Sequence, residues 1–203
     1  FVRRRQRQMC IRDSTYTVQN LERLGVSAVV IEDKKGLKKN SLFGTDVKQE
    51  QDSIENFCEK IKVGINSKQT DEFMVIARIE SLILGKGIED ALLRGRSYAD
   101  SGANGVLIHS KDKSEELVFQ FVENFKKDFD VPVIVVPTTY NHITLDEFKK
   151  LGVDIVIYAN HLLRSAYPAM LNTAEEILKF GRTQELEKKL MSVKEVINFI
   201  PTD

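Results

Sequence analysis

Apolar and polar positions along the chain fall into a repeating pattern. Three segments align with one another: LERLGVSAVVIED from Leu21, YADSGANGVLIHS from Tyr98 and FKKLGVDIVIYAN from Phe148. In each, an amphipathic stretch of helical period ends at a glycine (Gly25, Gly102 or Gly152), where a helix C-terminus needs a residue that tolerates the left-handed conformation. A short, wholly apolar run follows and closes on polar residues. Runs of this kind, apolar on both faces, belong to parallel strands covered by helices rather than to half-solvated antiparallel ones. Two further runs, Phe73 to Ile79 and Val131 to Val136, fit the same role, the second after a helix predicted over Lys113 to Lys127. The pattern predicts strands at 26–31, 73–79, 104–108, 131–136 and 153–158, each followed by helical sequence.

Alternating strands and helices build either a doubly wound sheet or a barrel. The residues just beyond the strands separate the two. They are Glu32-Asp33, Arg78 with Glu80, His109-Ser110, Pro137-Thr138 and Asn160-His161. A barrel assembles its site from the ends of several strands, whereas a doubly wound sheet concentrates it at one switch point. No glycine-rich phosphate loop of either common type is present. The expectation is therefore α/β, a (β/α)8 barrel of the TIM type, incomplete, with about five C-terminal βα units, because five strands do not close an eight-stranded barrel. Helical sequence from His161 to Phe180 and a capping box at Ser192 to Glu195 complete the pattern.

Composition changes this picture little. The chain has 203 residues, 42% hydrophobic and 30% charged, which is ordinary for a globular domain with a sizeable core. Basic and acidic residues balance at 30 each, which argues against a nucleic-acid or membrane partner. The balance is uneven, since residues 1–14 hold five arginines and one aspartate, leaving the remainder mildly acidic. Those 14 residues read as a disordered or non-native head, of the kind that translated adapter sequence leaves on assembled reading frames, with 15–203 as the catalytic barrel portion. Two cysteines, Cys10 and Cys58, make no disulfide framework, so the cytoplasm is the expected compartment.

The candidate chemistry sits at the strand ends. The carboxylates of Glu32 and Asp33 suit a hard cation such as magnesium, or a helix cap. Lys34 to Phe43, KKGLKKNSLF, brings four lysines, an asparagine and a serine into a loop too long for a tight turn, either a solvated loop or a lid able to close on an anion. Arg78 and Glu80 alternate along the strand and should face the same side, as an anion-binding guanidinium or as an ion pair. His109 follows GVLI directly and would face the same end, as a structural residue or a contact to a phosphoryl oxygen.

Read together, EDKKGLKKNS (Glu32 to Ser41), IARIES (Ile76 to Ser81), GVLIHS (Gly105 to Ser110), VPTTY (Val136 to Tyr140) and ANH (Ala159 to His161) resemble the phosphoenolpyruvate phosphomutase family of the isocitrate lyase and phosphoenolpyruvate mutase superfamily. The likeness runs from about Thr15 to Phe199. EDKKGLKKNS resembles the family's gating loop, with Leu37 where many members carry proline. The resemblance implies an isomerase that interconverts phosphoenolpyruvate and phosphonopyruvate, as part of phosphonate biosynthesis. It implies that Glu32 holds Mg2+ through water, that Lys38, Asn40 and Ser41 belong to the closing loop, and that Asn40, Arg78 and His109 grip the phosphoryl group. It also implies a homo-oligomer in which a C-terminal helix exchanges between subunits, the apolar stretch from Leu162 to Leu178 being the candidate and Pro168 its hinge or first turn. In the family the direct magnesium aspartate and the donors to the pyruvate carboxylate come from earlier strands, so this stretch alone is expected to be inactive.

Rivals are phosphonopyruvate hydrolysis, carbon–carbon lysis and a non-catalytic half-barrel. Lyases of the superfamily typically carry Cys-Gly-His where Asn40, Ser41 and Leu42 stand, which argues against a lyase; Asn40 favours the mutase over the hydrolase.

Overall fold

The computed structural model describes residues 11–35 and 49–199. It divides into two units, Phe1–Tyr158 and Ala159–Asp203. The first opens with α1 (Ile11–Arg23), which starts inside the stretch read as a head; Ser14 is fully buried and Val18 joins the core, so the helical spacing of those positions already belongs to the fold. Gly25, at φ 74°, turns the chain into β1 (Ala28–Glu32). Two short strands, β2 (Lys34–Lys35) and β3 (Glu50–Gln51), pair antiparallel. After α2 (Ile54–Asn66), capped by the Ser53 hydroxyl, come β4 (Met74–Ile79), α3 (Gly87–Asp100), β5 (Gly105–Ile108), α4 (Glu116–Asp128), β6 (Val133–Val135), α5 (Leu145–Leu151) and β7 (Ile155–Val156).

All five expected strands form, each a little shorter than its apolar run, and they make one parallel sheet in the order β1-β4-β5-β6-β7. Each strand adds to the edge left by the one before. The order never reverses, which is the progression of a barrel and not of a doubly wound sheet. The alternation of side chains gives the sheet two faces. Val75, Ala77 and Ile79 of β4, Val106 and Ile108 of β5, and Val133 and Val135 of β6 pack with Phe57, Ile61, Tyr98, Phe121, Phe125 and Phe148 of the helices. Ile76, Leu107 and Ile134, also buried, take the other face, which in a barrel is the inside.

Polar residues just before the strands close the N-terminal edge: Asn104 accepts from the Val75 N–H at 2.9 Å and Asp154 from the Val133 N–H at 2.7 Å. Helix α5 carries a reciprocal Thr144–Glu147 capping box and ends on Gly152 at φ 97°. An added Cβ there would have room, its nearest contact being Lys126 at 3.7 Å, so the cost of a side chain is conformational. Gly152→Ala is expected to destabilise the fold by about 1 kcal/mol, read as a lower urea midpoint at unchanged slope. An unaltered midpoint would mean the left-handed cap contributes nothing.

In the second unit, α6 (His161–Phe180) coincides with the helix expected there, and α7 (Val193–Ile197) carries the Ser192–Glu195 capping box. Pro168 lies in the helix interior, neither in the first turn nor at a break. Its missing N–H leaves the Arg164 carbonyl to solvent on an exposed helix, which limits the disruption. Leu162, Leu163, Tyr167, Met170 and Leu178 are all exposed, from 60% to 87%. Among the described residues no helix is long and apolar enough to cross a membrane.

Candidate active site

The site forms where β1, β4 and β5 end. Glu32 is in register with Arg78, and Arg78 with Leu107, so these three point to one face of the sheet. Lys34, Glu80 and His109, each two residues further along, continue that face. The side chains converge as this geometry requires. Glu80 is fully buried and central: one carboxylate oxygen accepts from Arg78 Nε at 2.6 Å, and the other is 2.6 Å from Lys34 Nζ. Lys34 Nζ also lies 3.0 Å from Glu32 Oε1. Arg78 reaches across to β5, placing one terminal guanidinium nitrogen 2.8 Å from His109 Nδ1. Burial alone would push the Glu80 carboxyl upward, but the charges of Arg78 and Lys34, each 2.6 Å from one of its oxygens, outweigh it and hold the group below its ordinary value.

Asp33 does not belong to this cluster. One residue beyond Glu32, it turns to the helix side, so the Glu32-Asp33 pair is not a pair of metal ligands. It is fully buried and accepts from Tyr98 Oη and Gln51 Nε2 at 2.8 Å, from the Glu80 N–H at 3.0 Å and from Arg94 at 3.3 Å. Burial pushes its carboxyl up, and these donors offset part of that rise. Arg94 also donates to the Asp52 carbonyl and to Asp90 at 2.9 Å each, while Asp52 holds Lys60 at 2.6 Å. The network ties the end of β1 and the start of β4's outgoing loop to α2 and α3, beneath the charged cluster.

Of the residues singled out from the sequence, Glu32, Arg78 and His109 come together at one strand-end face. Lys38, Asn40 and Ser41 lie outside the described residues. Lys34 is not a lid residue: it sits in β2, its ammonium between two carboxylates. Its place was legible in the alternation Glu32, Lys34, as that of Glu80 was in Arg78, Glu80. The Asp33–Arg94–Tyr98 network had no such local signal, because Asp33 and Arg94 are 61 residues apart.

The donor chemistry fits magnesium in part. Glu32 and Glu80 present hard oxygens that already converge on a cation, the Lys34 ammonium, as magnesium prefers. Among the described residues, however, no group of three or more potential ligands surrounds one point. Glu32 and Glu80 by themselves therefore do not make a complete ligand set.

The family model for phosphoenolpyruvate phosphomutase matches residues 10–178. The chain belongs to the phosphoenolpyruvate phosphomutase family. It is 39% identical over 179 residues to the phosphoenolpyruvate phosphomutase of Tetrahymena pyriformis, covering 88% of this chain and 59% of that protein. The crystal structure of phosphoenolpyruvate phosphomutase from Streptomyces platensis subsp. rosaceus superimposes with a TM-score of 0.88 at 39% identity, over 93% of this chain and 64% of that one. A phosphonopyruvate hydrolase in complex with oxalate and Mg2+ superimposes at 0.82 and 35% identity, over 93% and 63%. The chain thus spans about three fifths of the length of these phosphomutase-family relatives, and its sheet is a partial barrel of their kind.

Proposed function

We propose that the protein is a phosphoenolpyruvate phosphomutase, an isomerase that moves phosphorus between the enol oxygen of phosphoenolpyruvate and the methylene carbon of phosphonopyruvate. The observation that carries this reading is the cluster of Arg78, His109 and Glu80, a donor array held at the barrel mouth by a buried carboxylate. Phosphoryl migration through a loose, metaphosphate-like state asks for positioning and charge stabilisation more than for covalent chemistry. Arg78 would take two phosphoryl oxygens with its planar fork, and His109 a third. Asn40 would donate its amide once Lys38, Asn40 and Ser41 close over the substrate and exclude water, which would otherwise capture the migrating group. Glu32 would orient water on magnesium, and the bound cation would supply positive charge to the substrate's oxygens. Phosphonopyruvate hydrolysis is the second reading, favoured by the likeness to the hydrolase. The protein would act in the cytoplasm as a homo-oligomer assembled through the apolar face of α6.

Asn40 separates the readings. If its amide meets the phosphoryl group only after closure, it stabilises the transition state more than the ground state. In the natural protein carrying this sequence, Asn40→Ala is expected to cost roughly 2–4 kcal/mol in turnover, with phosphonopyruvate affinity changed much less. Steady-state kinetics at saturating magnesium check this. Turnover within about twofold of wild type would make Asn40 a surface residue and remove the preference for the mutase over its relatives.

A further inference from the structure

We infer that Glu80 is a positioning residue that, through Arg78, fixes His109 as a neutral imidazole presenting its Nε2–H to the substrate. The inference deepens the reading above and rests on it only for what that donor touches. It starts from the contact between the Arg78 guanidinium and His109 Nδ1 at 2.8 Å. A guanidinium has N–H donors and no acceptor, so a hydrogen bond at this distance requires the ring nitrogen to accept. An accepting Nδ1 carries no proton, and the proton of the neutral ring then sits on Nε2. The bond to one nitrogen thus defines what the other can do.

Glu80 holds Arg78 in the pose that makes this contact. Its Oε1 takes Arg78 Nε at 2.6 Å, and its other carboxylate oxygen is anchored by Lys34 at 2.6 Å. Its backbone N–H donates to the Asp33 carboxylate at 3.0 Å, so the residue is fixed at both ends. Glu80 Oε1 also lies 3.5 Å from His109 Nδ1. A protonated Nδ1 would be drawn to that oxygen and could not then accept from Arg78, so the two arrangements exclude each other. The shorter contact selects the neutral ring. The residue is buried, at 5% relative exposure, which disfavours water as a competitor for Nδ1. The consequence for phosphoryl transfer is a directed donor in place of a proton-exchanging one: His109 would offer a hydrogen bond to a phosphoryl oxygen without itself giving up a proton.

The test is the nitrogen chemical shifts of the His109 ring in the natural protein, 15N-labelled at histidine and assigned with His109→Gln. Wild type is expected to show an unprotonated, pyridine-type Nδ1 and a protonated Nε2 at neutral pH. Glu80→Gln, which removes the charge that pins Arg78, and Arg78→Met, which removes the donor, should each produce a mixture of ring states. Glu80→Gln should also lower kcat about tenfold to a hundredfold with a smaller change in KM, the usual effect of losing a group that orients a reacting residue. A merely structural Glu80 would leave the ring unchanged. A wild-type ring protonated at Nδ1 overturns the inference, as does an unaltered ring in both variants; should Glu80→Gln fail to fold, the wild-type ring and Arg78→Met still decide it. The ring readout needs no turnover. A protein that left phosphonopyruvate unchanged yet showed the expected ring would sink the proposed function and leave this inference standing.

Discussion

Arg78→Ala is expected to lower kcat/KM for phosphonopyruvate by about 10³, near 4 kcal/mol, with binding and turnover both impaired. The guanidinium carries a charge needed by the bound substrate and by the transition state alike, so its removal cannot be confined to one of them. It also leaves the buried Glu80 carboxylate with only one of its two 2.6 Å cationic partners, Lys34, and His109 without the donor to Nδ1. Truncating one side of a buried ion pair is costly chiefly because of the charge left behind. Arg78→Lys should recover only part of the loss, since an ammonium keeps the charge and not the planar fork. Steady-state kinetics on the natural protein check both variants. An Arg78→Ala enzyme within tenfold of wild type would move the phosphoryl site away from the end of β4.

Asp33→Ala should have the largest effect on stability, about 3–5 kcal/mol. The carboxylate is the common acceptor for Tyr98, Gln51, Arg94 and the Glu80 N–H, all of them in the interior. Its loss strands a guanidinium whose side chain is 5% exposed, although Asp90 still pairs with it at 2.9 Å. Several orphaned donors in a buried site cost more than the cavity itself. Urea unfolding should show a lower midpoint with an unchanged slope. A loss under about 1 kcal/mol would mean that water or Asp90 replaces the carboxylate. Because the same carboxylate holds the backbone of Glu80, the charged cluster above it should loosen as well.

The order of elements was legible because it is written in local signals. Apolar runs after Gly25, Gly102 and Gly152 could only be strands following helix ends, and the glycines do take the positive φ that the reading required. Period-two alternation put Arg78 and Glu80 on one side of β4, and their 2.6 Å contact follows from it. What stayed hidden depends on distance along the chain. Glu32-Asp33 reads as a carboxylate pair, yet neighbouring residues in an extended chain face opposite ways, and only the presence of Arg94 and Tyr98 on α3 shows why the second is buried. Lys34 looked like the start of a mobile loop because nothing nearby announces that Glu50 and Gln51 return to pair with it. The continuity of α6 through Pro168 was likewise hidden, since proline disfavours a helix interior by a local rule that solvent exposure of the affected carbonyl relaxes.

Phosphorus NMR of phosphonopyruvate incubated with the natural protein and magnesium distinguishes phosphoryl migration from hydrolysis. The carbon-bound phosphorus signal is expected to be replaced by that of phosphoenolpyruvate, with the phosphoryl group retained on the same molecule. Release of inorganic phosphate with pyruvate would identify a hydrolase and contradict it, and an unchanged phosphonopyruvate signal would contradict both readings of this site.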